Sequence, residues 1–344
     1  MRYRLLGNSG LRVSELCLGT MTFGEEWGSG SSKDESRAIL DAFFEAGGNF
    51  IDTANMYTNG TSEAMLGEFL QGDRDRAVLA TKYTNAMPGT DPNAGGNQRK
   101  NMMRSVEASL KRLRTDYIDL YWLHVWDQIT PLEEVMRAFD DLVRQGKILH
   151  VGVSDMAAWA VARANTLAEL RGWSPFVGLQ IEYSLVERTV ERELLPMAEA
   201  LGLGVTAWSP LAGGVLTGKY ARGQAEVDAR YHNEMMKHFA PSGDRIEAIV
   251  SEVRAVAEEV GRSSAQVALA WLRHQPTPVI PIVGARRLEQ FRDNLACLDL
   301  RLDEAHLGRL GAASRVELGF PHSFYDNEMV KAFVFGGMRD LIDN

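Results

Sequence analysis

Residues 117–124 read YIDLYWLH, and residues 77–82 read AVLATK. Both stretches are apolar at most positions instead of alternating between apolar and polar residues, and each ends on an ionisable side chain, His124 or Lys82. A strand that is apolar on both faces is typical of a parallel sheet covered by helices, because neither face meets water. The two stretches therefore predict parallel strands whose carboxyl ends carry polar groups.

Six further β-rich stretches continue this pattern along the chain. They are residues 15–19, 49–53, 148–154, 176–180, 204–208 and 278–283. Amphipathic helical segments lie between strands, and in the clearest, residues 131–145, apolar residues recur at the spacing of one helix face before Gly146 ends the segment. Eight strand–helix units predict the α/β class and a closed (β/α)8 TIM barrel, with a doubly wound open sheet as the alternative.

The two ends of the chain and one internal segment add to this plan. Residues 1–15, with Gly-Asn-Ser-Gly between two short apolar runs, predict a β-hairpin that covers the bottom of the barrel. No stretch has the composition of a domain linker, so we expect one domain over residues 1–344, with extra helices at the C-terminal end. The polar residues 221–244 predict a long insertion after the seventh strand.

The composition is that of an ordinary globular protein. Of 344 residues, 45% are hydrophobic and 24% charged, and 46 acidic against 37 basic residues give a formal net charge of −9. This charge disfavours binding to a phosphate backbone, so we expect no nucleic-acid partner. No signal-peptide pattern and no apolar stretch of the ~18 residues required for a membrane span are present, which predicts a cytoplasmic protein without a membrane partner. The sequence does not indicate an oligomeric state.

Metal chemistry is not indicated. Cys17 and Cys297 lie far apart and match no metal-ligand spacing, and no HxH, HExxH or CxxC pattern occurs. We therefore expect two reduced thiols and no bound metal.

Polar residues end most of the predicted strands, and in a barrel the carboxyl ends of the strands carry the reactive groups. The residues in question are Asp52, Lys82, His124, Ser154, Asp155 and Gln180, with Tyr57 just past Asp52. An ammonium beside a phenol favours the phenolate and so lowers the pKa of the phenol, and a nearby carboxylate keeps the ammonium charged. A neutral histidine can orient a carbonyl oxygen. Singly, each residue also has a structural interpretation, such as an ion pair or a satisfied core histidine; their coincidence at one rim favours a site that protonates an alkoxide.

The chain resembles the aldo-keto reductase family over nearly its whole length. The resemblance lies in a series of motifs in order: LGTMTFG (18–24), DTANMY (52–57) followed by Ser62, Glu63 and Gly67, TKY (81–83), DLYWLH (119–124), VGVSD (151–155), QIEYSLVER (180–188), AWSPLAGGVLTGKY (207–220) and VGARRLEQFRDN (283–294). It implies reduction of a small-molecule carbonyl substrate by NADP(H), with Asp52, Tyr57, Lys82 and His124 as the catalytic residues.

The resemblance also implies a cofactor site. Its residues are Gly19, Thr20, Met21, Asp52, Ser154, Asp155, Gln180, Trp208, Ser209, Pro210, Leu211, Gly213, Lys219, Gly284, Arg286, Gln290 and Asn294. Trp208 is implied to stack on the nicotinamide, and Arg286 to favour the 2′-phosphate of NADPH. The family usually has asparagine where Asp155 stands, and an ionised aspartate cannot donate to a carboxamide. Asp155 instead predicts a cap on the helix that begins near Ala157.

Alternative functions remain at this point. GGVLTGKY nearly matches a phosphate-binding P-loop, but Tyr220 stands where Ser or Thr is required. A Schiff-base aldolase would use Lys82 as its nucleophile. A third alternative is a redox-sensing NADP(H)-binding module with little turnover, because the last two motifs resemble potassium-channel β subunits. Four residues in loops are predicted to line a substrate pocket: Phe23, Trp27, Met56 and Trp126.

Overall fold

The computed structural model describes residues 1–86, 89–219 and 243–342. Its strands are β1 (Tyr3–Leu5), β2 (Arg12–Ser14), β3 (Cys17–Gly19), β4 (Phe50–Asp52), β5 (Val78–Tyr83), β6 (Ile118–Leu123), β7 (Ile148–Ser154), β8 (Phe176–Glu182), β9 (Gly204–Trp208) and β10 (Val279–Val283). Strands β3 to β10 pair in parallel and in chain order, and β10 returns to β3, so the sheet is a closed barrel. The predicted (β/α)8 barrel and all eight of its strands are confirmed.

Helices surround the barrel. They are α1 (Lys33–Glu45), α2 (Thr61–Phe69), α3 (Arg99–Leu113), α4 (Leu132–Arg144), α5 (Ala158–Arg171), α6 (Leu194–Ala200), α7 (Asp244–Val260), α8 (Ser264–Arg273), α9 (Leu288–Leu295), α10 (Glu304–Ala313), α11 (His322–Tyr325) and α12 (Glu328–Phe335). Short 3₁₀ helices occur at Tyr57–Gly60, Arg74–Arg76, Thr189–Glu191, Ala212–Thr217, Ala296–Asp299 and Arg339–Leu341. No helix in the described part of the chain is long and apolar enough to cross a lipid bilayer.

Helix α4 illustrates how sequence spacing becomes packing. Its apolar face is buried against the barrel, and the helix ends at Arg144, immediately before Gln145 and the left-handed Gly146. The predicted C-terminal helices are present as α10 to α12. The insertion predicted at residues 221–244 lies, apart from its last two positions, outside the described residues.

The N-terminal hairpin of β1 and β2 lies against the amino-terminal end of the barrel, as predicted. The backbone N–H of Asn8 donates to the carbonyl of Gly202 at 2.8 Å. A Cβ atom on Gly7, whose φ is +54°, would lie 2.4 Å from the carbonyl oxygen of Val177. Only glycine permits so close an approach at this φ, so the tip of the hairpin fits directly against the start of β8.

The interior of the barrel is filled by side chains at alternate strand positions. Trp122 occupies the space left by two glycines, since a Cβ on Gly152 would lie 2.2 Å from its ring and one on Gly178 2.9 Å. These three residues stand in register on β6, β7 and β8, with Trp122 opposite Gly152 and Gly152 opposite Gly178.

Side chains alternate along a strand, so the residues two positions further on also point inward, one layer nearer the carboxyl end. On β7 and β8 these are Ser154 and Gln180, which pair with each other. The same periodicity directs Lys82 and Asp52 inward on β5 and β4, and Trp208 on β9. The parity of the strands therefore collects the polar residues predicted from sequence at one mouth of the barrel.

Candidate active site

Lys82 is the central group of the site. Its side chain is completely buried, and its ammonium bonds the carboxylate of Asp52 and, at 2.8 Å, the carbonyl oxygen of Thr53. Burial by itself would lower the pKa of Lys82, but Asp52 and Tyr57 outweigh it, and the pKa lies above its ordinary value. Lys82 is therefore held as an ammonium, which makes it a poor nucleophile and disfavours a Schiff-base aldolase.

Asp52 is fixed from both sides. One of its carboxylate oxygens accepts from Lys82, and the other accepts from the side-chain amide of Gln180 at 3.0 Å. Gln180 comes from β8, on the opposite side of the barrel from β4, so this bond crosses the interior. A carboxylate bound in this way keeps the ammonium both charged and oriented.

Tyr57 lies in the 3₁₀ turn that follows β4. Its hydroxyl is 3.1 Å from Nζ of Lys82. The turn is shaped by Thr58 and Asn59, both left-handed, with φ of 46° and 58°, and the hydroxyl of Thr58 donates to the carbonyl of Phe23 at 2.6 Å. Burial raises the pKa of Tyr57, and Lys82 only partly opposes it. The expectation that the ammonium lowers this pKa below its ordinary value was thus wrong, since desolvation is the larger effect.

His124 completes the group at the end of β6. Its ring meets that of Tyr57 edge-to-face, with 5.9 Å between centroids. Burial, assisted by the charge of Lys82, lowers the pKa of His124 to about 3. The imidazole is therefore neutral at physiological pH, which is the form expected for a histidine that orients a carbonyl oxygen. The structure brings all four predicted side chains together at the mouth.

Ser154, Asp155 and Trp208 lie at the same end of the barrel, where β7 and β9 end. The hydroxyl of Ser154 is buried, and its polar neighbour is the carboxylate of Asp155. Asp155 does not cap α5: the cap position is Ala157 and has no side-chain bond. The carboxylate of Asp155 instead accepts from the indole N–H of Trp208 at 3.1 Å, so the capping interpretation was wrong.

The loop after β9 is built from tight turns. Ser209, Gly213 and Gly214 are left-handed, with φ of 52°, 63° and 97°. The backbone N–H groups of Ala212 and Gly214 donate to the carbonyls of Ser209 and Leu211 at 2.8 and 2.9 Å, and that of Gly213 donates to the hydroxyl of Ser209 at 3.1 Å. The remaining predicted residues of this loop, Pro210, Leu211 and Lys219, lie in the same segment.

The loops after β3 and β10 approach each other closely. A Cβ on Gly19 would lie 2.7 Å from a methyl group of Ile282, and one on Gly284 would lie 3.1 Å from the carbonyl oxygen of Gly19. Helix α9 begins after Arg287, and it carries Gln290, partly exposed, and Asn294, mostly buried. Gly19 and Gly284 thus let the ends of β3 and β10 approach each other closely at the mouth.

Two predicted contact residues have other roles. The hydroxyl of Thr20, which is fully buried, bonds the carbonyl of Asp52 at 3.0 Å and the hydroxyl of Ser62 at 2.9 Å. Phe23 is fully buried in the hydrophobic core between barrel and helices. Thr20 and Phe23 therefore stabilise the loop after β3, and the cofactor role of Thr20 and the pocket role of Phe23 stay predictions.

The other predicted pocket residues lie near the site. The ring of Trp27 meets that of Tyr57 edge-to-face at 6.4 Å between centroids, and Trp126 packs against Trp159 at 5.6 Å. Met56 directly precedes Tyr57 and is partly exposed, and Met21, assigned to the cofactor, is partly exposed in the loop after β3.

Three residues near the site were not identified from the sequence. Asn85 places its side-chain nitrogen 3.3 Å from Nδ1 of His124. Glu35 accepts from the backbone N–H of Leu288, in the first turn of α9. Glu182 ends β8, and burial, with Glu187 and Asp155 nearby, raises its pKa to about 7. Asn85 and Glu35 lie outside the quoted motifs and contact partners distant in the chain, and Glu182 lies within QIEYSLVER, where nothing in the sequence reveals its burial.

The site thus combines a charged lysine, a phenol and a neutral histidine at the mouth of a closed parallel barrel. The chain belongs to the aldo/keto reductase family, whose model matches residues 15–315. It is 39% identical over 326 residues to a norsolorinic acid reductase of Emericella nidulans, covering 92% of this chain and 82% of that protein. It is 41% identical over 324 residues to an uncharacterized oxidoreductase of Bacillus subtilis, covering 90% and 95%. It is 36% identical over 352 residues to the aryl-alcohol dehydrogenase [NADP(+)] of Phanerodontia chrysosporium, covering 94% and 89%.

Proposed function

We propose that this oxidoreductase interconverts carbonyl compounds and alcohols with NADP(H), with Tyr57 as the general acid in the direction of reduction. The observation that carries the proposal is the 3.1 Å contact between the hydroxyl of Tyr57 and the buried ammonium of Lys82. A phenol is a weak acid in isolation, and loss of its proton becomes easier when the phenolate that forms lies against a fixed positive charge.

The residues that would hold the cofactor fit a nicotinamide dinucleotide. The buried hydroxyl of Ser154, which can both donate and accept, suits a carboxamide, and the indole of Trp208 at the mouth suits stacking on the nicotinamide ring. When bound, the nicotinamide supplies or accepts the hydride. One relative is named an NADP(+)-dependent dehydrogenase, which supports the same choice of cofactor for this chain.

Each side chain of the site then has a defined task. His124, being neutral, can donate one hydrogen bond to the carbonyl oxygen and orient it. Tyr57 gives its proton to the oxygen as negative charge develops there. Lys82 stabilises the resulting phenolate, and Asp52 keeps Lys82 charged and in place.

We further propose that the substrates are aromatic aldehydes or ketones and the corresponding alcohols. Two relatives are named for norsolorinic acid and for aryl alcohols. Trp27 and Trp126 lie beside the site, and aromatic side chains stack favourably with aromatic ligands.

The test is a panel of aromatic aldehydes, aliphatic aldehydes, ketones and sugars, followed by NADPH absorbance with the wild-type protein and with Tyr57→Phe. We expect the variant to bind NADPH with unchanged affinity and to lose roughly 10²- to 10⁴-fold in turnover, the range for loss of a general acid. Full activity in Tyr57→Phe would contradict the role of Tyr57. Tight NADPH binding with negligible turnover across the panel would favour a redox sensor instead.

A further inference from the structure

The contact between Asn85 and His124 determines more than the position of the ring. The side-chain nitrogen of Asn85 lies 3.3 Å from Nδ1 of His124, and within the described part of the chain this is the single hydrogen bond to that ring. An amide nitrogen carries only donor hydrogens, so the Nδ1 atom that faces it must act as an acceptor. In a neutral imidazole one nitrogen accepts and the other donates. The proton must then reside on Nε2.

The charge state of His124 makes this choice consequential. The ring is neutral because it is buried and because the ammonium of Lys82 lies nearby; Asp52, Tyr57 and Asp155 are the other ionisable groups around the mouth. An imidazolium would carry protons on both nitrogens, and the partner of Nδ1 would then not matter. In the neutral ring, the partner of Nδ1 decides whether Nε2 can donate to a substrate oxygen.

Asn85 is held in place by the backbone before it. Thr84 has a φ of +104°, which a β-branched residue rarely adopts. Its carbonyl accepts from the backbone N–H of Gly96 at 2.9 Å and from the side chain of Asn101 at 3.2 Å. Its hydroxyl accepts from the side chain of Asn97 at 3.0 Å. Such a conformation persists where the surrounding structure over-determines it, and it is found at functional sites.

A further bond holds Asn85 itself. Its backbone carbonyl accepts from the side-chain amide of Asn55 at 3.1 Å, and the backbone N–H of Asn55 donates to the carbonyl of Lys82, also at 3.1 Å. The segment that carries Asn85 is thereby tied to β5 and to the chain just before Tyr57. Asn85 is thus oriented by the same elements that place the proposed acid.

We propose that Asn85 is a positioning residue that selects the Nε2–H tautomer of His124 and so gives the substrate carbonyl its hydrogen-bond donor. The role of this donor in catalysis rests on the proposed carbonyl reduction, whereas the choice of tautomer does not depend on it. With the proton on Nδ1, the lone pair of Nε2 would face the lone pairs of the carbonyl oxygen. The ring would then repel the substrate oxygen instead of orienting it.

The direct test reads the tautomer without turnover. The protein labelled with ¹⁵N-histidine, in the absence of substrate, is studied by ¹H–¹⁵N correlation of the imidazole nitrogens, and the His124 signals are assigned by their loss in His124→Asn. We expect the proton on Nε2 between pH 6 and 8. A proton on Nδ1 would mean that the Asn85 amide presents its oxygen to the ring, and would overturn the proposal.

Asn85→Asp is the decisive variant, because it replaces the amide by a carboxylate of nearly the same shape that can only accept. We expect the proton of His124 to move to Nδ1. The matched control is Asn93→Asp, which adds the same charge to the same loop at an exposed position that does not contact His124 and should leave the tautomer unchanged. An unchanged tautomer in Asn85→Asp would likewise overturn the proposal.

The pH profile separates selection of a tautomer from a general structural role. Near pH 8 we expect Asn85→Asp to lower kcat/KM for the carbonyl roughly 10- to 100-fold, with NADPH affinity unchanged. Activity should recover as the pH falls, because an imidazolium carries a proton on Nε2 again; a loss of activity that is uniform with pH would contradict this. If the wild-type tautomer is as expected but no carbonyl compound is reduced, the proposed function fails and the assignment of Asn85 stands.

Discussion

At the residue scale, activity near neutral pH depends on which side chains change protonation there. Tyr57 has its pKa raised above the ordinary value of ~10, and that of His124 is lowered to about 3. Neither group titrates between about pH 5 and 9. Their states, phenol and neutral imidazole, are those that reduction of a carbonyl requires.

We therefore expect kcat/KM for carbonyl reduction to be constant from about pH 5 to 9 and to fall only at more alkaline pH, because burial raises the pKa of Tyr57 and delays the loss of its proton. Alcohol oxidation should show the opposite trend, because it needs the phenolate. Initial rates in both directions across this range are the measurement. Glu182, whose pKa is raised to about 7, is the group whose titration would add a step to the pH profile near neutrality. A step near pH 7 that persists in Glu182→Gln would contradict its assignment to Glu182.

Glu35 is a second residue with a measurable effect. It bonds the backbone N–H of Leu288 at the start of α9, close to Arg286 and the position proposed for the 2′-phosphate. A carboxylate there repels that phosphate. Glu35→Gln keeps an acceptor for Leu288 while removing the charge, so we expect it to tighten NADPH binding about two- to tenfold and to leave NADH affinity unchanged.

Fluorescence or calorimetric titration with both cofactors measures this difference. Glu45→Gln is the control, because it makes the same change at the other end of α1 and at an exposed position. An equal gain for NADH and NADPH in Glu35→Gln would show that Glu35 does not act on the 2′-phosphate.

At the scale of elements, the helices must pack closely enough to place Tyr57. Helix α2 begins right after the turn that carries Tyr57, and it crosses α3 at Gly67. A Cβ on Gly67 would lie 2.2 Å from the carbonyl oxygen of Arg112 and 2.7 Å from the carbonyl carbon of Leu113. Both of these atoms belong to the backbone, so they cannot move aside as a flexible side chain does.

We expect Gly67→Ala to lower the free energy of unfolding by about 1–3 kcal/mol, because the new methyl group overpacks this crossing. The matched control is Gly308→Ala in α10, where nothing lies within 4 Å of the added Cβ. That change should raise stability by roughly 0.5–1 kcal/mol through helix propensity alone. Denaturant unfolding measures the free energy of unfolding of both variants. Similar changes at the two positions would contradict the claim that close packing of α2 on α3 requires glycine at position 67.

At the scale of the whole molecule, the part of the described chain that contains buried residues ends at Ser314. None of residues 315–342 is buried, and Phe320, Phe333 and Leu341 are more than 70% exposed. The family model also ends at residue 315. The described contacts of the tail with the body are few, such as the bond from Arg192 to the carbonyl of Glu317 at 3.2 Å.

A variant that ends at Arg315 should therefore melt within a few degrees of the full chain, in a single transition if the predicted single domain is correct. The contrasting variant ends at Leu302 and also lacks α10, whose Leu310 is buried and whose Gly311 and Ser314 accept hydrogen bonds from Arg188. We expect that variant to be strongly destabilised. The measurement is the melting temperature of each truncated variant by calorimetry. A large decrease for the variant that ends at Arg315 would show that the tail stabilises the barrel.

The sequence by itself determined the barrel and the membership of its mouth. Burial on both faces of a parallel strand produces runs of apolar residues. Parallel strands bring the carboxyl ends that carry Asp52, Lys82 and Gln180 to the same end of the barrel, and the period of two turns these side chains inward. These properties are local in the chain, and for that reason they can be read without coordinates. The turn that carries Tyr57 also follows directly from its place after β4.

Only the tertiary structure decided the partners and protonation of these residues. Asn85 meets His124 across 39 positions, Trp208 meets Asp155 across 53, and Leu288 meets Glu35 across 253. The raised pKa of Tyr57 likewise results from desolvation by the folded chain around it. Contacts between distant segments and the extent of burial depend on how the elements pack, and no spacing along the chain encodes them.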